Sequence, residues 1–407
     1  MLTNARNRPD RIGFILLMVL VGLNLRPALS SLAPLLPRIE REGKLSVLML
    51  SSLTTLPVVC LGLFAPLALW LAKRLGMERS IALGLTILSV GLILRGVATA
   101  PALFAGTLLA GAAIAIVGTL LPALVMRELA GSADLVTGVY TMALCLGGAL
   151  GAGLSIPLAD LMDSWPASLM SWAGLSLAAL LAWWLAMPQS APDRKLRVAK
   201  GNTLSMLRQP LAWQVMVMMG SQSSLAYIVF GWLPTLLVAR GYSEGEAGWL
   251  MSVSILTQLV SAIGAPWLAR MHRDQRPMLM LAVGLVAAGL WVLLIGPPAL
   301  RWPGSLLLGL GQGGLFSLAL TLIVLRSGSP AIAGELSVLA QGGGYLMAAL
   351  GPLLVGLLLH ADASIARITY ALFAILSVTA TMALLAGRKL RLELNGDEGL
   401  VTVDQRF

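Results

Sequence analysis

Gly22-Leu23-Asn24-Leu25-Arg26-Pro27 is the stretch on which the reading of this chain turns. It lies inside Ile12–Pro37, where almost every other residue is apolar: Phe14 to Val21 before it, then Ala28, Leu29, Leu32 and Ala33 after it. Such a run is long enough to cross a bilayer core of ~30 Å. Arg26 falls about 14 residues in, roughly 21 Å along a helix rising ~1.5 Å per residue, and so sits near or just past the midplane. A guanidinium at that depth costs at least ~2.5–3.5 kcal/mol and normally faces a bundle interior or a water-filled path. Pro27 removes a backbone N–H and frees a carbonyl one turn back. A charge beside a weakened helix turn is how many carriers build a midplane binding site. The plainer alternative is a structural arginine tied to its own helix carbonyls.

The rest of the chain agrees with a membrane reading. Of 407 residues, 58% are hydrophobic and only 11% charged, against about 25% charged in soluble domains. Several separate apolar runs of membrane-spanning length indicate an all-α polytopic membrane protein. The alternation that a barrel would need is absent. The first apolar segment lacks a small-residue cleavage site and continues into Arg26-Pro27, so it reads as a retained helix rather than a signal peptide. Cys60 and Cys145 both fall in apolar helices and read as small core residues, not as a disulfide or metal site. The net charge of +10 does not point to nucleic acid, because the basic residues sit in short loops between apolar segments.

Twelve spans are expected, at roughly 12–33, 46–72, 79–98, 101–127, 133–160, 166–187, 210–238, 243–270, 277–296, 301–326, 331–360 and 365–387. Of the 28 Lys and Arg residues, 20 fall on the side that carries both termini, 7 on the other (Arg95 among them), and Arg26 lies within the membrane. By the positive-inside rule both termini are cytoplasmic. The longest polar connection, 188–209, divides an N-terminal bundle (1–187) from a C-terminal one (210–390), and 391–407 reads as a flexible cytoplasmic tail. The two halves repeat. Trp70-Leu71-Ala72-Lys73 recurs as Trp267-Leu268-Ala269-Arg270, Gly111 corresponds to Gly309, and Gly147-Gly148 to Gly343-Gly344. The glycines of span 5 (Gly147, Gly148, Gly151, Gly153) and of span 11 (Gly342, Gly343, Gly344, Gly351, Gly356) are expected to let helix backbones approach closely. Parallel six-helix repeats signal a two-bundle carrier with its substrate between the bundles.

On these motifs the chain resembles the major facilitator superfamily over its full length. Gly22 to Pro27 with Ala33-Pro34-Leu35-Leu36-Pro37, Thr54-Thr55-Leu56-Pro57, Gly231-Trp232-Leu233-Pro234 and Gly241-Tyr242-Ser243 narrow the resemblance to the cyanate/nitroimidazole transporter (CynX/NimT) family. The superfamily's acidic loop residue after the second span is replaced here by Lys73. The resemblance implies alternating access, a cavity lined by spans 1, 4, 7 and 10, and a monomer in the bacterial inner membrane.

Helix midpoints pick out the polar candidates: Asn24, Gln222, Tyr227, Gln258, Gln312, Gln341 and Tyr345. Each offers hydrogen bonds without charge, and the alternative for each is interhelical glue. Grouped around Arg26 they would suit a small polar or planar anionic solute, since a guanidinium fork can hold a carboxylate-like or nitro-like group with two bonds. Membrane lipid is the other expected partner, and no cofactor is expected. The second reading is a multidrug or metabolite exporter with an apolar pocket at Met216, Met218, Met219 and Trp232. None of the 18 acidic residues falls mid-span, so no proton relay is evident. Glu335, one turn inside span 11, is expected to pair with Arg326 or another cytoplasmic base. No catalytic triad, metal-ligand spacing or phosphate loop appears, which argues against an enzyme.

Overall fold

The computed structural model describes residues 11–42, 45–129, 133–187, 206–270, 274–395 and 399–404. Most of the 188–209 linker, together with His272 and the extreme termini, lies outside the described residues. Among those described, twelve helices are long and apolar enough to cross a membrane, one for each expected span. The sequence sets their starts locally. Ser46, Ser164, Ser329 and Ser364 each cap a helix by accepting a backbone N–H three residues on, which satisfies one of the donors left over at a helix N-terminus. Spans 4, 6, 7 and 9 carry proline in their first turn, where its missing N–H costs nothing.

The helices form two six-helix bundles whose packing repeats position by position. Gly111 of span 4 rests on Pro57 and Cys60 of span 2, and Gly309 of span 10 rests on Ser254 and Thr257 of span 8. Gly91 lets span 3 touch the Gly106–Ala110 backbone of span 4, as Gly289 lets span 9 touch Leu308 of span 10. At the end of span 4 Arg127 pairs with Glu78 of span 3. At the end of span 10 Arg326 donates to Oε1 of Gln275, 2.7 Å away, at the start of span 9. One end of the molecule thus carries Arg127, Arg326 and a C-terminal hairpin; the other carries Arg38.

The two ends differ in how the halves meet. Toward the hairpin end the N-terminal half has a core of its own, built from Phe14, Leu17, Met18, Ala72, Val125 and Val136. Toward the Arg38 end there is one shared core, in which Leu35, Ile39, Leu53 and Ala152 pack with Leu236, Leu250 and Ile255 of the other half. Polar links join the halves there too. Ser252 Oγ donates to Ala149 O at 2.9 Å. Arg38 pairs with Glu244 at 2.5 Å and with Asp160 at 2.7 Å, and Arg41 also pairs with Glu244. The halves are therefore closed on each other at the Arg38 end.

Three local expectations are corrected. The segment after Arg391, expected to be a flexible tail, contributes to an antiparallel hairpin of β1 (Leu390–Asn395) and β2 (Gly399–Asp404). It docks because Leu392, fully buried, exchanges backbone hydrogen bonds with Arg326 and Gly328, and because Gln209 donates to Leu400 O. Glu335 is not the partner of Arg326, whose guanidinium is taken by Gln275 and, at 2.8 Å, by Ala386 O. Gly342, expected to allow close helix approach, faces open space, whereas Gly343 and Gly344 do pack against span 7.

Candidate functional site

Span 1 is broken at the stretch quoted at the outset. A helix runs Arg11–Leu25, a single turn runs Pro27–Ser30, a 3₁₀ turn runs Ala33–Leu35, and a last helix runs Leu36–Arg41. Pro27, Pro34 and Pro37 each lack an N–H, and three such losses within eleven residues accompany the break of the helix into short pieces. Every carbonyl released inside a membrane must find another partner or a close neighbour. Leu23 O, the acceptor that Pro27 leaves without a donor, faces Gly147 of span 5 so closely that no Cβ would fit. Ala28 O accepts from Arg95 Nη1 of span 3 at 2.6 Å. Ser30 Oγ ties the turn to Gly148 O at 2.7 Å. The glycines of span 5 thus form a bed for the broken helix.

Arg26 occupies the break. Gly148 leaves room for its stem: a Cβ there would lie 3.2 Å from Arg26 Cβ and 3.4 Å from Cδ. The guanidinium reaches across to span 7 of the other half and lies 5.2 Å from the ring centroid of Phe230. Tyr227 and Tyr345 stand close enough to feel its charge and meet each other edge-on at 6.2 Å. Tyr227 and Phe230 are 6.4 Å apart. Phe230 therefore faces the cation, and Tyr227 and Tyr345 extend the aromatic cluster behind it. Nη1 of Arg26 is buried and has no hydrogen-bond partner among the described residues. A cation–π contact contributes ~0.5–2 kcal/mol, less than the ~2.5–3.5 kcal/mol that burial of the charge costs. The site as it stands is short of an acceptor.

Of the residues expected around Arg26, the fold brings in Tyr227 and Tyr345. The others are satisfied elsewhere. Asn24 donates to Leu20 O on its own helix at 2.7 Å. Gln222 is held by Ser223 Oγ at 2.7 Å and by Met219 O. Gln258 donates to Gln312 Oε1 at 3.3 Å, and Gln312 in turn to Leu225 O at 3.4 Å, so this pair knits spans 7, 8 and 10 of one half together. Gln341 donates to Ser337 Oγ inside a π-helical turn, Val338–Gly343. Met218, Met219 and Trp232 are core residues, Met216 is buried against Gly343, and Trp232 Nε1 is tied to Pro352 O at 2.9 Å. They line no cavity with Arg26.

Two residues escaped the sequence reading. Phe230 stands one helical turn after Tyr227 and directly before Gly231-Trp232-Leu233-Pro234, and that spacing was a usable signal. Arg95 enters the sequence reading only as one of the seven basic residues on the Arg38 side. It is instead only 1% exposed, donates to Ala28 O and to Thr107 Oγ1, and contributes to a narrow cavity between the halves with Leu32, Thr54, Pro57, Tyr227 and Phe230.

This arrangement can be set beside known proteins. Residues 14–352 match the model of the Major Facilitator Superfamily. Among curated relatives, the "Uncharacterized transporter YycB" of Bacillus subtilis (strain 168) is 37% identical over 84% of this chain and 85% of its own length. In Escherichia coli (strain K12), the 2-nitroimidazole transporter is 34% identical over 85% of this chain and 88% of its own. The cyanate transport protein CynX of the same organism is 34% identical over 84% and 89%. Among solved structures, a bacterial homolog of the human lysosomal transporter Spinster superposes with a TM-score of 0.75 at 15% identity, covering 93% of this chain and 97% of that one. A D-xylose-proton symporter gives 0.74 at 14% identity, covering 92% and 96%. The chain belongs to the major facilitator superfamily, in the group of transporters that includes the cyanate and 2-nitroimidazole carriers.

Proposed function

We propose that this protein is a secondary transporter that moves a small planar anion, or a strongly dipolar solute such as a nitro-heteroaromatic, by alternating access. The solute lies between the bundles with its most electronegative group on Arg26 and its plane against Tyr227, Phe230 or Tyr345. The observation that carries this reading is the buried Nη1 of Arg26, which has no hydrogen-bond partner among the described residues while the guanidinium faces the Phe230 ring. An acceptor on the solute completes what the protein leaves open, and a flat solute can stack where a bulky one cannot. The relatives named for cyanate and 2-nitroimidazole carry cargo of this kind in their names. Burial of Met216, Met218, Met219 and Trp232 favours the anion reading over an exporter with an apolar pocket at these residues.

The excess of Lys and Arg supports a cytoplasmic location for both termini and the hairpin end in a bacterial inner membrane. On that orientation the Arg38 end, where the halves close on each other, is the external one. Substrate binding is testable by thermal shift on purified protein with cyanate and 2-nitroimidazole, since a ligand that binds only the folded state raises its apparent stability. Arg26→Lys keeps the charge and loses the planar fork, so binding weakens by about 1–3 kcal/mol, roughly 5- to 150-fold. Arg26→Ala abolishes uptake without harming the fold. An Arg26→Ala protein that is stable and transports like wild type would make the arginine structural.

A further inference from the structure

Arg26 is not alone between the halves. Arg95 is a second guanidinium with no described carboxylate in reach: none of the described ion pairs includes either arginine. Its Nη1 and Nε are used by Ala28 O and Thr107 Oγ1, and among the described residues Nη2 has no hydrogen bond. The cavity it borders takes its walls from both halves, Leu32, Leu53, Thr54, Pro57 and Arg95 on one side and Tyr227, Phe230 and Gly231 on the other. Phe230 therefore touches both the Arg26 guanidinium and the Arg95 cavity. This cavity lies toward the Arg38 end, inside the core that the halves share. Parting of the halves there would split the cavity and uncover Arg95.

We propose that Arg95 and the Thr54–Phe230 cavity form a second anion subsite, used when the Arg38 end is open, that receives a small planar anion or nitro group and passes it across the aromatic wall to Arg26. The proposal rests on Arg26 marking the transport path. Two positive charges, the buried Arg95 and the part-buried Arg26, with no described acid to offset them make the path between the bundles attractive to anions. The tethering of Nε and Nη1 fixes the guanidinium plane, so Nη2 is presented in one orientation rather than sampled from many. A role as a helix cap alone would need a hydrogen-bond donor at Ala28 O but no charge.

The test uses the full chain with Cys60→Ala and Cys145→Ala, carrying Thr54→Cys, in membrane vesicles. The thiol is labelled with an anionic (sulfonate) and a cationic (trimethylammonium) methanethiosulfonate reagent, and the ratio of rates is normalised to that for a free small thiol. The anionic reagent is expected to be favoured at least tenfold, and Arg95→Gln, which keeps neutral donors for Ala28 O and Thr107, to collapse most of that preference. A ratio near one with Arg95 in place, or a ratio unchanged by Arg95→Gln, overturns the subsite. Should Arg95→Gln fail to assemble, protection decides: nitrate or 2-nitroimidazole is expected to slow labelling of Thr54→Cys even in an Arg26→Gln background. Loss of protection there by both probes means there is no second subsite. Wild-type transport by Arg26→Ala would instead sink the transport reading, whatever Thr54→Cys reports.

Discussion

Spans 1 and 7 fill equivalent slots in the two halves, yet they are built in opposite ways. Span 1 is broken into pieces by Pro27, Pro34 and Pro37. Span 7 runs unbroken over 30 residues, Pro210–Ala239, with only Pro234 inside it. The broken member supplies the charge, Arg26. The continuous member supplies the wall, Tyr227 and Phe230. Charge needs a place where backbone and side chain can be reoriented and freed carbonyls reassigned. An aromatic wall needs a rigid rail that keeps rings one helical turn apart. The repeat provides two copies of one scaffold, and the copies have divided these tasks.

If span 1 is the costly member, its bed in span 5 should tolerate less change than the matching bed in span 11. Gly147→Ala places a Cβ against the backbone carbonyl of Leu23, which cannot move aside. Overpacking of this kind costs about 1–3 kcal/mol or more. Gly343→Ala meets only Met216 Sδ, at 2.8 Å, near the end of a flexible side chain, so a loss below about 1 kcal/mol is expected. Thermal unfolding of the two purified variants compares them directly. Equal losses would mean that the asymmetry between spans 1 and 7 does not reach their supports.

A smaller contrast concerns the pairs at the hairpin end. Glu78 with Arg127 and Gln275 with Arg326 hold equivalent corners. Arg127→Met takes the guanidinium away from a carboxylate that is only 3% exposed, which costs on the order of 1–2 kcal/mol because Arg127 itself is partly in water. Adding Glu78→Gln removes the remaining charge and should recover most of the loss, since the other half already uses an amide there. A double variant as unstable as the single one would show that the corner depends on packing rather than charge. Smaller still is the effect expected at Glu335: Glu335→Gln should transport at neutral pH with the wild-type pH profile, because Glu335 lies near the hairpin end and its expected partner, Arg326, is engaged elsewhere. Loss of pH-driven accumulation with binding intact would make the C-terminal half the proton-carrying one.

The twelve spans, their repeat and the weakened turn at Arg26-Pro27 were all legible in the sequence, because each is written in local terms: an apolar run, a recurring tetrapeptide, a proline beside a charge. The glycine beds of span 5 were legible for the same reason. The surroundings of Arg26 were not. Gln222, Gln258 and Gln312 lie at the right depth, but depth fixes only one of the coordinates of a side chain. Their rotation about the helix axis turned them into their own half, and no pattern of neighbours in the sequence reports that. Arg95 was lost for the converse reason. One residue from a loop it reads as surface, yet span 3 ends against the break in span 1, and Ala28 O draws the guanidinium inward. The hairpin was missed because its strands are short and polar at alternate positions, and the groups that hold it, at Arg326, Gly328 and Gln209, are remote in the chain.

That hairpin has a consequence for the order of assembly. The Arg326–Gly328 loop emerges from the ribosome ahead of spans 11 and 12, and its backbone partners on Leu392 are made only after both. Gln209 waits longer still for Leu400. Until residues 390–404 arrive, the corner where spans 7 and 10 reach the surface has its amide groups turned to water and the hydrophobic seat of Leu392 uncovered. Chains halted before this point would carry a complete set of spans and an unfinished clasp, a difference displayed at the hairpin end alone.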